Sequence, residues 1–163
     1  LRGPLTGYPP LLMPVAHALL QSREEIQRMA NSLPAAHAWV KPGGAASVGF
    51  HLVHAARSID RLTTYARGEM LNEAQLRALK AEERLERDAP PVQQAADEAI
   101  AAIDRALDQL RTTPEATLTE ARQVGRKGLP STVIGLLVHT AEHTTRHIGQ
   151  ALTTAKILAG RPQ

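Results

Sequence analysis

The chain has 163 residues, a length that suits one domain with a single core, and we predict one helical domain over residues 1–163. Cysteine is absent, which excludes disulfides, cysteine-based zinc ribbons and a cysteine nucleophile. The net charge of +3 comes from scattered basic residues without a basic tract, so we expect no nucleic-acid partner. No apolar run reaches about 18 residues and the N-terminus shows no signal pattern, so we expect no membrane span and a cytoplasmic location.

The first predicted elements are a long helix, a loop and a second long helix. Apolar residues recur with a helical period from Leu11 to about Leu33, and prolines and glycines over 34–44 then predict a loop. Ser47 is a suitable N-cap for the second helix, which ends near Gly68. Because only 2% of the residues are aromatic, the core must be aliphatic and rich in alanine, which favours helix packing over a sheet sandwich.

The second half of the chain predicts one short helix and two long ones. The short helix, exposed and rich in charge, covers 72–86, and the third long helix runs from about Val92 to Leu110. A long connection without a clear strand pattern leads to the last helix, from Ser131 as N-cap to Leu158. Four long helices joined by long connections predict an all-α four-helix bundle.

The last predicted helix carries three histidines at intervals of four, in VHTAEHTTRHIGQ (138–150). His139 and His147 are about 12 Å apart along the axis, too far to share one ion, whereas residues four apart face the same way. The possible ligand pairs are therefore His139 with His143, or His143 with His147. From the centre of the apolar stripe, His147 lies about 80° away, His143 about 120° and His139 about 160°, so we favour His143 and His147.

A third ligand has to come from another helix, and the second helix offers His51 and His54. His51 lies about 60° from the apolar centre of its helix and His54 about 120°, and periodicity does not decide between them. His17 and His37 are further options with weaker context. The alternative interpretation is that these histidines are surface or hydrogen-bonded core residues with no metal.

Two stretches and the order of the elements resemble the DinB/YfiT superfamily of bacterial four-helix bundles, from about residue 11 to 159. The stretches are SVGFHLVHAARSIDRLTTYARGE (47–69) in the second helix and AEHTTRHIGQ (141–150), with its HxxxH followed by Gly-Gln, in the last. The resemblance implies a metal held by one histidine of the second helix, here His54, together with His143 and His147. It places His51 and His139 beside the site or on its rim.

Three neutral imidazoles would leave coordination positions open for water or substrate, and they suit Zn, Ni, Fe or Co better than Mg or Ca. We therefore expect a divalent transition metal as cofactor. Metal-bound histidines usually donate their second nitrogen to a carboxylate or carbonyl, for which Asp60, Glu142 and Gln150 are the candidates. No catalytic residue beyond the histidines is evident. Tyr65 of the second helix lies about three helical turns past His54, too far along the helix to act at the same site.

The resemblance implies a metal-dependent transferase that uses a low-molecular-weight thiol as cosubstrate, and members of the superfamily are often dimers. We therefore expect a small-molecule substrate or thiol and a homodimer. The alternatives are a metal-dependent hydrolase, a non-catalytic metal- or ligand-binding bundle linked to stress, and a helical interaction domain whose histidines are incidental.

Overall fold

The computed structural model describes residues 2–85 and 87–160. It contains five α-helices and two short strands: α1 (Met13–Ser32), α2 (Val48–Ala66), α3 (Glu73–Ala81), α4 (Val92–Thr112), β1 (Ala121–Val124), β2 (Leu129–Thr132) and α5 (Val133–Ala159). The helices predicted from periodicity are therefore confirmed. The short helix α3 ends earlier than predicted, in a 3₁₀ turn over Glu82–Arg84, and Glu86 lies outside the described residues.

The four long helices pack as a bundle, as predicted. Helix α2 lies against α5 and α4, and α1 packs against the same two helices from the other side, so that α1 and α2 are diagonal partners. The short helix α3 lies against α2 on the outside of the bundle. This arrangement places the histidines of α2 opposite those of α5.

The core is aliphatic and rich in alanine, as the composition predicts. Helix α4 turns a row of small side chains inward, which allows its neighbours to approach closely; the row consists of Ala95, Ala96, Ala99, Ala102 and Ala106, each at most 3% exposed. Large aliphatic side chains from the other helices fill the space between them, among them Ile26, Leu52 and Ile148 at 0% exposure. Such a core fixes the positions of α2 and α5 relative to each other.

The N-terminus of α2 is held by a cap and by a tryptophan. The side chain of Ser47 accepts a hydrogen bond from the backbone N–H of Phe50 at 3.2 Å, which confirms it as the N-cap. The ring of Trp39 lies against Gly49 so closely that a Cβ there would be 2.6 Å from it. The indole N–H of Trp39 donates to the carbonyl of Pro90 at 3.0 Å, which connects this end of α2 to the segment after α3.

A β-hairpin in the connection before α5 was not predicted. Strands β1 and β2 pair antiparallel, and Gly125 and Gly128 adopt the positive φ angles of 68° and 59° that the turn between them requires. The strands are short, largely exposed and contain a proline, so they lack the alternation that identifies a strand in sequence. Because β2 extends to Thr132, the N-cap of α5 is Thr132 and the prediction of Ser131 was wrong by one residue.

None of the helices in the described part of the chain is long and apolar enough to cross a bilayer.

Candidate metal centre

Three histidines from two helices converge where α2 packs against α5. Each of His54, His143 and His147 offers a ring nitrogen, and the three nitrogens all lie within 4.8 Å of one another. The Nε2 atoms of His54 and His143 are 3.0 Å apart, and the ring of His147 lies 4.5 Å from each of the other two rings, centre to centre. Nitrogens at such separations could share one cation, since each metal–nitrogen bond is about 2.1 Å long.

A carboxylate orients His54 from outside the cluster. The Nδ1 of His54 lies 2.7 Å from Oε2 of Glu82, and Arg61 donates to the other oxygen of the same carboxylate. Arg61 also donates to the hydroxyl of Ser58 at 3.0 Å, and this hydroxyl lies 3.3 Å from Nε2 of His54. A carboxylate accepts the hydrogen from Nδ1, which leaves the lone pair on Nε2 facing His143.

The electrostatic balance at Glu82 favours the ionised carboxylate. Burial alone would raise the pKa of Glu82, but the hydrogen bonds from His54 and Arg61, together with the positive charge of Arg61, outweigh burial and hold the pKa below its ordinary value. Glu82 therefore carries its negative charge at neutral pH and accepts from both partners.

The two cluster histidines of α5, His143 and His147, are neutral at physiological pH. Burial lowers the pKa of His143, and the neighbouring His54 lowers it further. The same two causes lower the pKa of His147 to about 4. A neutral imidazole keeps a free lone pair on one nitrogen, which is the form that binds a metal ion.

His51 lies one turn before His54 on α2 and contacts the cluster through His147. Its side chain is buried, as its predicted angle to the apolar stripe of α2 indicated, and its Nδ1 is 3.0 Å from Nδ1 of His147. Burial lowers the pKa of His51, so this ring is also neutral. His51 is therefore a neighbour of the cluster and contacts one of its members.

A cavity of about 650 Å³ opens beside the cluster. Two of its lining residues touch His54: Phe50 stacks on the imidazole with ring centres 5.5 Å apart, and Glu82 accepts its hydrogen bond. The charged side chains of Lys41, Glu83, Arg84 and Arg87 complete most of the lining. A second cavity of about 690 Å³ is lined by His51, Gly149 and Gln150 among others.

Of the remaining histidines, His139 lies on the rim of the cluster, with its ring centre 5.5 Å from that of His143, whereas His17 and His37 belong to other parts of the fold. His139 is about half exposed and its Nδ1 is 3.2 Å from a carboxylate oxygen of Glu142, so the prediction that it points away from the core is confirmed. His17 lines a groove on α1, and His37 belongs to a 3₁₀ turn in the loop before α2.

None of the three candidate partners, Asp60, Glu142 and Gln150, forms a hydrogen bond with a histidine of the cluster. Asp60 accepts a hydrogen bond from Gln75 at 2.8 Å, Glu142 pairs with His139 and Arg146, and Gln150 is exposed. Glu82 takes the role instead. Its position directly after α3, as the C-cap residue, gives no sequence signal, because only the packing of α3 on α2 brings it to His54.

Fold and site together define a helical bundle with three histidines that could hold a metal ion. The sequence model of the DinB superfamily matches residues 18–151, and the chain belongs to that superfamily. The fold is also that of a crystal structure of a conserved protein from Enterococcus faecalis, with a TM-score of 0.71 and 18% sequence identity over 92% of this chain and 98% of the other. No curated protein sequence matches this chain.

Proposed function

We propose that His54, His143 and His147 bind one divalent transition metal, Zn, Ni, Fe or Co, and that the protein uses it in a transferase reaction with a low-molecular-weight thiol. The observation that carries the proposal is the convergence of three imidazole nitrogens within 4.8 Å, two of the rings neutral by their low pKa values and the third oriented by Glu82. Three protein ligands are the number that leaves room for a substrate on the metal.

The surroundings of the site support a reaction with an external thiol. A bound divalent cation favours ionisation of a thiol that reaches it. The thiolate would then form a carbon–sulfur bond to an electrophile, whose leaving group departs with its electron pair while the thiol proton passes to solvent. The chain has no cysteine, so the sulfur has to come from a cosubstrate. The cavity beside His54 provides the space, and its lining offers charged groups of both signs to a polar substrate, Arg84 and Arg87 together with Glu82 and Glu83.

The test is elemental analysis of the purified protein followed by thiol conjugation with a chromogenic electrophile, using a panel of bacterial thiols. We expect one metal per chain, lost in His143→Ala and kept in the exposed control His139→Ala. Turnover should require both the metal and one particular thiol. Bound metal without turnover for any thiol would contradict the transferase and favour the hydrolase or the non-catalytic alternative, and a metal-free protein of ordinary stability would contradict the whole proposal.

We also propose that the chain forms a homodimer through the outer face of α1 and α5. Val138 on this face is 49% exposed, and it lines a mainly apolar groove of about 460 Å³ together with Val15, Ala18 and Ala141. Burial of this groove in a second copy would remove apolar surface from water. Light scattering of the wild type and of Val138→Glu tests the proposal: we expect a dimer and a monomer respectively, and a monomeric wild type would contradict it.

A further inference from the structure

His51 contacts His147 although His51 is not one of the three proposed metal ligands. Its Nδ1 lies 3.0 Å from Nδ1 of His147, and its side chain is only 5% exposed. His51 lies outside the group of three whose nitrogens fall within 4.8 Å of one another. His51 is therefore a neighbour of the cluster that contacts one of its members, His147.

Two ring nitrogens at hydrogen-bond distance must share one hydrogen, so one of them donates and the other accepts. If His147 donates from Nδ1, its lone pair is on Nε2, the nitrogen that does not face His51. If His147 accepts, its hydrogen is on Nε2 and that nitrogen cannot bind a cation. The hydrogen bond with His51 is thus coupled to the ability of His147 to act as a ligand.

We propose that His51 is a positioning residue that accepts a hydrogen bond from Nδ1 of His147 and so holds His147 with its Nε2 lone pair free for the metal. The inference rests on the proposed metal site. The contact of His51 with His147 parallels the contact of Glu82 with His54. In each case a neighbouring side chain lies at hydrogen-bond distance from Nδ1 of a proposed ligand, one ligand on α2 and one on α5. Such partners typically change metal affinity by about 10- to 100-fold.

Because His51 is buried, loss of its hydrogen bond with His147 would leave polar atoms without a partner. An imidazole as buried as His51 needs a partner for its polar atoms, and the hydrogen bond to His147 provides one. His51 also lines the second cavity. A side chain without an acceptor at this position would fill the space but would leave Nδ1 of His147 without its partner.

The test compares two variants of similar bulk. His51→Asn places an amide oxygen roughly where Nδ1 stands and keeps the acceptor, whereas His51→Leu removes it. We expect His51→Leu to raise the dissociation constant for Zn²⁺ by about 10- to 100-fold, and His51→Asn to restore most of the affinity. The exposed control His139→Ala should bind Zn²⁺ like the wild type, and thermal unfolding shows whether each variant is folded.

Nitrogen-15 NMR of the metal-free protein tests His51 without relying on metal binding. We expect His147 to carry its hydrogen on Nδ1 in the wild type and in His51→Asn, and to lose that preference in His51→Leu. A hydrogen on Nε2 of His147 in the wild type, or the same spectrum and Zn²⁺ affinity in folded His51→Leu, would overturn the inference. A wild type that binds no Zn²⁺ but shows the Nδ1 hydrogen would overturn the proposed function while leaving the hydrogen bond established.

Discussion

Replacement of Glu82 tests how much of the site depends on the segment after α3. In Glu82→Ala, His54 loses the acceptor at 2.7 Å from its Nδ1, and Arg61 loses its carboxylate. His54 is then free to rotate and to carry its hydrogen on either nitrogen, so it presents the Nε2 lone pair only part of the time. Arg61 keeps its contact with Ser58 but no opposite charge.

The expected loss of stability in Glu82→Ala follows from the burial of the ion pair between Arg61 and Glu82. The side chains of Arg61 and Glu82 are 14% and 11% exposed, so the pair lies between an exposed one, worth at most about 1 kcal/mol, and a fully buried one, whose disruption costs about 3–5 kcal/mol. We expect the free energy of unfolding of the metal-free protein to fall by about 2 kcal/mol. Loss of the partner of His54 should also weaken metal binding by about 10- to 100-fold.

The assay combines chemical denaturation of the metal-free protein with Zn²⁺ titration against a chromophoric chelator. Glu82→Gln, which keeps an oxygen for His54 but loses the charge, should lie between the wild type and the alanine variant. The control is Glu73→Ala, which removes an exposed carboxylate on α3 whose side chain is 91% accessible and should cost under about 0.5 kcal/mol. If folded Glu82→Ala binds Zn²⁺ as tightly as the Glu73 variant, the assigned role of Glu82 is incorrect.

Two further predictions concern packing and acid sensitivity. In Gly49→Ala, the new Cβ would lie 2.6 Å from the ring of Trp39, so we expect a loss of about 1–3 kcal/mol in denaturant unfolding; unchanged stability would show that the ring moves aside at no cost. Because the pKa of His147 is lowered from 6.5 to about 4, the unfolded chain takes up this proton more readily than the folded one. The contribution of neutral His147 to the stability of the metal-free protein should be fully present above pH 6.5 and should decrease as the pH falls to about 4. Thermal melts across that range should show a shallower decline in His147→Gln, and equal slopes would contradict the assignment.

The helices were predictable because their stability depends on patterns that the sequence displays directly. Apolar residues at helical spacing, the Ser47 cap and the proline- and glycine-rich loop before it are local features, and the structure retains them. The hairpin of β1 and β2 was missed because its strands bury little. Its role is tertiary: Arg122 of β1 donates from Nε to the carbonyl of Ala66 at 2.9 Å, at the C-terminal end of α2.

The histidine cluster was predictable to the extent that helix geometry determines it. Spacing and the apolar stripe selected His143 and His147, and helix periodicity placed His51 nearer the core than His54, as observed. Periodicity could not choose between His51 and His54 as the third member, because that depends on the angle at which α2 meets α5. The contact of Glu82 with His54 depends on how α3 packs against α2, which no local pattern specifies.

The most direct test of metal binding by His54, His143 and His147 is a crystal structure of the protein grown with Zn²⁺, with anomalous diffraction measured on both sides of the zinc absorption edge. We expect one strong anomalous peak between α2 and α5, about 2.1 Å from nitrogens of His54, His143 and His147. A peak at some other position, or an occupied site from which any of these three imidazoles is turned away, would contradict it.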